Sequence, residues 1–77
     1  MPPLDLLQSL PDPSPDAVRQ ARESAGLSQP AAAALVGLGS GARWSEYERA
    51  NRSIDRARWA LFLLATGQHP RARAATR

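Results

Sequence analysis

Punctuation constrains this chain more than any other feature. Ser14-Pro15, Ser28, Ser40 and Asp55 each stand before a run of helix-favouring residues, and Gly26, Gly37, Asn51 and Gly67 each stand just after one. A side-chain oxygen at a helix start satisfies one of the free N–H groups there, and a residue that tolerates the left-handed conformation closes the last turn. The intervals predict a helix over about residues 15–25, a second from Ser28 to Gly37, a third over about 41–50 and a fourth from Asp55 to Gly67. Gly37, Gly39 and Gly41 make the connector between the second and third a flexible turn. No stretch alternates with the period of a strand, so the fold class is all-α, a compact bundle of four helices, or five if Leu4 to Leu10 form a short one.

Seventy-seven residues make one domain at most, with a marginal core. Residues 1–14 form a proline-rich leader, 15–67 the folded body and 68–77 a basic tail expected to be mobile. There is no cysteine and a single histidine, His69, which excludes disulfides and Cys/His metal sites; His69 reads as a polar residue near a helix end. No cofactor, metal or small-molecule effector is implied, and no pair of catalytic groups is apparent, so the chain does not read as an enzyme. The longest apolar run, WALFLLA at 59–65, falls far short of the roughly 20 residues that span a bilayer. With no secretory signal pattern after Met1-Pro2-Pro3, a cytoplasmic location is expected.

All ten basic residues are arginine. Residues 1–42 carry Arg19 and Arg22 against Asp5, Asp12, Asp16 and Glu23, a net of −2. Residues 43–77 carry the other eight arginines against Glu46, Glu48 and Asp55, a net of +5. A basic half is the footprint of a protein that meets a polyanion, and an arginine-rich solvated surface is the competing reading.

The segment LSQPAAAALVGLGSGARWSEYERANRS, residues 27–53, holds two short helices joined by a glycine turn, with arginines after the second. Leu27, Ser28, Gln29, Ala33, Gly37, Trp44, Tyr47 and Glu48 fall where the Cro/C1-type (XRE) helix-turn-helix regulators have their pattern, and the chain resembles that family over about residues 15–67. The interval from Gly37 to Trp44 is one residue longer than the commonest spacing, and Ala50-Asn51 replaces the usual glycine after the aromatic-Glu-x triplet. A longer turn of this kind is similar to that of small family members from phages and plasmids, including regulators that accompany anti-CRISPR genes. The resemblance implies a Cro/C1-repressor-like domain that binds double-stranded DNA with its third helix in the major groove.

At roughly 100° per residue, with Trp44 taken as inward, Tyr47 and Glu48 lie near it, Ala42, Ser45, Glu46 and Arg49 point away, and Arg43 lies on the flank. Arg43, Ser45, Glu46 and Ala42 are therefore the expected base readers. Arg43 can donate two hydrogen bonds to guanine, and Glu46 can accept from cytosine N4, hold Arg43 in place or simply be solvated. Ser28, Gln29 and Ser40 at helix starts, and Arg49, Asn51 and Arg52 at the far end, are the expected phosphate contacts. Core packing outweighs nucleic-acid stacking for Trp44 and Tyr47 at their i, i+3 spacing. For Arg56 and Arg58, phosphate contact and a solvated helix face stand level.

Residues 59–65 are apolar nearly all round, more than one face of a small bundle requires, so Trp59, Phe62 and Leu63, with the N-terminal leucines, are expected at a homodimer interface. The competing reading is that they close a small core. The function expected is a dimeric autorepressor on a palindromic operator. A protein-interaction module, such as an antitoxin or inhibitor built on the same scaffold, is the alternative.

Overall fold

A computed structural model describes residues 12–70, and within them every regular element is an α-helix. The short helix and leucines expected before residue 12, and the tail from 71 on, lie outside the described residues. We label the helices α1 (Pro15–Ser24), α2 (Gln29–Leu35), α3 (Gly41–Glu48) and α4 (Arg56–Ala65).

The caps act largely as the punctuation predicts. Ser14 Oγ accepts from Ala17 N at 3.0 Å, Ser28 Oγ from Ala31 N at 3.2 Å, and an Asp55 carboxylate oxygen from Arg58 N at 3.0 Å. Ser40 sits at the start of α3, yet its side chain makes no capping bond. Its backbone carbonyl instead accepts from Arg43 N at 3.2 Å. Asn51 is not the left-handed residue after α3. That conformation falls one position earlier, on Ala50 at φ 63°, because α3 ends at Glu48 rather than Ala50.

The α2–α3 pair is the most closely packed, α1 lies against α3, and α4 contacts α2. A Cβ added to Gly41 would lie 2.9 Å from Pro30 Cγ and 3.0 Å from Pro30 N, so the start of α3 rests directly on the first turn of α2. Trp44 is the centre of the core and is wholly buried. Its ring meets Tyr47 edge-on at 5.8 Å and Phe62 at 4.9 Å, and Trp59 stacks in parallel on Phe62 at 6.2 Å. Val18 and Ala21 of α1, Ala32 and Ala33 of α2, and Ile54 fill the space around these rings.

On α4, Trp59, Phe62 and Leu63 are 6%, 0% and 7% exposed within a single chain, so they pack into its core. A domain this small needs its bulkiest apolar residues inside. The large apolar residues that α4 leaves outside are Leu61 and Leu64. Past Gly67, Gln68 Nε2 donates to Ala21 O at 3.0 Å, tying the end of α4 to α1, and His69 is completely buried.

Two backbone positions generate opposite predictions. An alanine held at positive φ is strained by about 1 kcal/mol, so Ala50→Gly should raise stability by up to that amount. Gly41→Ala should lower it by about 1–3 kcal/mol, because Pro30 presents backbone as well as ring to the added methyl. Urea melts of the two variants check both signs.

Candidate nucleic-acid interface

The inner face of α3 carries a carboxylate, and a buried carboxylate must find donors. Glu48 lies four residues from Trp44, on the same side of the helix, with its side chain only 6% exposed. Arg22 of α1 reaches it with two nitrogens, Nε to Oε2 at 2.6 Å and Nη2 to Oε1 at 3.2 Å. Gln29 Nε2 of α2 donates to Oε1 at 3.1 Å, and Trp44 Nε1 donates to Oε2. Arg22 spends a further N–H on Leu27 O at 2.9 Å, in the loop that leads into α2. One carboxylate therefore joins α1, α2 and α3.

Burial works against the Glu48 charge, but the Arg22, Trp44 and Gln29 donors outweigh it and hold the carboxyl below its ordinary value. The hydrogen bond to Glu48 in turn raises the Arg22 guanidinium. The long-range pairing of Arg22 is the main feature that sequence reasoning missed. A signal was present. Helical geometry already turned Glu48 inward with Trp44, and Arg22 is four residues on from Val18, along the buried side of α1.

With its inner face locked, α3 turns its remaining side chains outward. Ala42, Arg43 and Arg49 are exposed, and Ser45 and Glu46 are half-buried. Glu46 holds Arg52 through Nε at 3.0 Å rather than Arg43. Gln29 has one amide N–H committed to Glu48, which leaves the second for an external acceptor. Ser28, Ser40, Asn51 and Arg52 are all exposed.

The charge balance of the described residues sorts the arginines. Asp16 pairs with Arg19, Glu48 with Arg22, Glu46 with Arg52, Asp12 with Arg56 and Asp55 with Arg58. Arg58 also donates from Nε to Val36 O at 3.0 Å, so it braces α4 against the end of α2 and is not a freely solvated side chain. Arg43 and Arg49 are the two without an acidic partner among the described residues, and α3 carries one while the other caps its end.

Two short helices crossing at a glycine turn, the second with a sealed inner face and an open basic outer one, form a recognisable unit. The helix-turn-helix domain family matches residues 16–76. The chain belongs to that family. Comparison with characterised proteins and with solved structures returns no match. The matched span takes in α2, the turn at residues 36–40 and α3, and the family is one of DNA-binding regulators. Among the described residues, no helix of this helix-turn-helix protein is long and apolar enough to cross a membrane.

Removing either partner of the Arg22–Glu48 pair leaves the other charge buried and alone, at a cost of about 3 kcal/mol. Arg22→Met and Glu48→Gln should each lose that much in denaturant melts. Because the folded carboxyl titrates below its unfolded value, its contribution is fully present above the ordinary carboxylate pKa and disappears as pH falls through the lowered one. Stability measured against pH should therefore drop on the acid side in the wild type, with a shallower drop in Glu48→Gln.

Proposed function

We propose that this protein is a Cro/C1-type repressor that binds a palindromic operator as a homodimer, with α3 of each protomer in a major groove. The observation that carries the reading is the position of Arg43 and Arg49, the two arginines without an acidic partner among the described residues, on and at the end of a helix whose other face is locked into the core. A major groove admits one helix between two rows of phosphates, where an unpaired guanidinium gains most. Arg43 reads guanine O6 and N7 from the first turn of α3, and Ser45, Glu46 and Ala42 meet the neighbouring base edges. Ser28 and Gln29 offer N–H groups to a phosphate from the start of α2, Ser40 does so ahead of α3, and Arg49, Asn51 and Arg52 hold the backbone at the far end. A dimer lying across a promoter excludes polymerase by occupancy.

Support for the dimer now rests on a different part of α4. Leu61 and Leu64 are 46% and 39% exposed, and Ala57 lies on the same outward stripe at i, i+4, i+7 spacing. Two such stripes related by a two-fold axis bury each other, with the small Ala57 permitting close approach. Recognition helices about 34 Å apart would then meet successive turns of one DNA face.

Band-shift titration and footprinting on the DNA upstream of the gene should reveal a protected inverted repeat. Arg43→Ala should cost about 1–3 kcal/mol on that site and relax preference at one base pair. An equal loss on random duplex would remove Arg43 from the base readers. Leu61→Glu together with Leu64→Glu should sediment as a monomer while keeping the wild-type helical circular dichroism, and a dimer that survives both changes uses another surface.

A further inference from the structure

Leu61 and Leu64 are the large apolar side chains that α4 turns to solvent, and with Ala57 they make a stripe about 10 Å long. Beside it, between α4 and the end of α2, runs a groove of about 260 Å³ lined by Val36, Asp55, Ala57, Arg58 and Leu61. Asp12 shows which part of the chain lies next to this surface. Its Oδ1 accepts from Arg56 Nε at 3.2 Å, so the chain passes the first turn of α4 before it enters α1. Only Pro11 separates Asp12 from Leu10. Two residues extend by at most about 7 Å, which holds Leu10 near the foot of the stripe.

The sequence of that segment matches the surface. At roughly 100° per residue, Leu4, Leu6, Leu7 and Leu10 fall within an arc of about 160°, and Asp5, Gln8 and Ser9 fill the rest of the circle. From Leu4 to Leu10 such a helix rises about 9 Å, close to the length of the stripe. Residues 4–12 carry Asp5 and Asp12 and no base, whereas the charged residues of α4 are Arg56 and Arg58. We infer that residues 4–10 fold back as a helix on their own chain and cover Ala57, Leu61 and Leu64, with a leucine entering the groove beside Val36. The tether gives the segment an effective concentration of about millimolar, which a second copy in dilute solution does not reach. The stripe is also the face proposed above for the two-fold contact, so the segment and a second protomer exclude each other, and this consequence alone rests on that reading. Two protomers held on neighbouring half-sites raise each other's local concentration, so DNA moves the exchange toward the dimer.

A nitroxide on Ser9→Cys reads the cover, because the chain has no other cysteine and Ser9 falls on the polar side of the segment. In dilute full-length protein it should broaden the methyl resonances of Leu61 and Leu64, and Leu4→Ser together with Leu7→Ser should abolish the broadening. Sedimentation supplies the second reading. By freeing the stripe, the two serine substitutions should strengthen self-association by at least about tenfold. Weaker self-association in that variant, or broadening seen only between a labelled chain and a separate isotope-enriched one, means that the leucines serve a second copy and overturns the fold-back. Broadening that survives the serine substitutions overturns it as well. A dimer with no broadening removes the cover and leaves the two-fold contact standing, and an unchanged dissociation constant in the serine variant overturns the exclusion. Broadening as expected, with no dimer in any variant, removes the two-fold reading and keeps the cover.

Discussion

The Glu48 carboxylate is the point on which the other elements converge. Its donors come from α1, α2 and α3, so the three helices that would carry or brace a DNA contact are oriented by one acceptor. A carboxylate this enclosed gains little net stability over a well-packed apolar group, because its desolvation offsets most of the attraction. What it supplies is direction. Apolar contacts tolerate sliding and rotation, whereas four N–H groups aimed at two oxygens fix the rotation of α3 about its axis. Trp44 takes part in both systems, with its ring in the aromatic cluster and its N–H on the carboxylate.

Local chemistry made the helices legible in the sequence. Ser14, Ser28 and Asp55 cap where their side chains are expected to, Gly26, Gly37 and Gly67 take the positive φ expected of them, and Trp44 and Tyr47 pack inward as their spacing requires. Each of these depends on neighbours within a turn or two. The features that were not legible depend on partners far along the chain. Arg22 is set by a residue 26 positions away, and Gln68 by one 47 positions away. His69 gave no signal, since burial of a polar residue after a helix end is decided by where the chain turns back.

On α4 the apolar surplus is visible in the sequence and the inward direction is not. A run that is apolar on nearly every side has no preferred inward face in its own pattern. The neighbours decided it, with Phe62 drawn to Trp44 and Trp59 stacked beside it, so that Leu61 and Leu64 were left outside. The outward set of α3 was legible for the opposite reason, because a strongly amphipathic helix announces its faces. Which partner each outward side chain takes was not, as Glu46 on Arg52 rather than Arg43 illustrates.

The division of α3 into a locked side and an open side has an evolutionary consequence. Residues that set the pose of the helix, Trp44, Tyr47 and Glu48, are different residues from those that face outward, Ala42, Arg43, Ser45 and Arg49. Substitutions in the second set leave the aromatic cluster and the carboxylate knot untouched. If α3 reads bases as proposed, a lineage can change the sequence it recognises one letter at a time while inheriting the same scaffold, and duplicated copies of such a gene can diverge in target long before they diverge in shape.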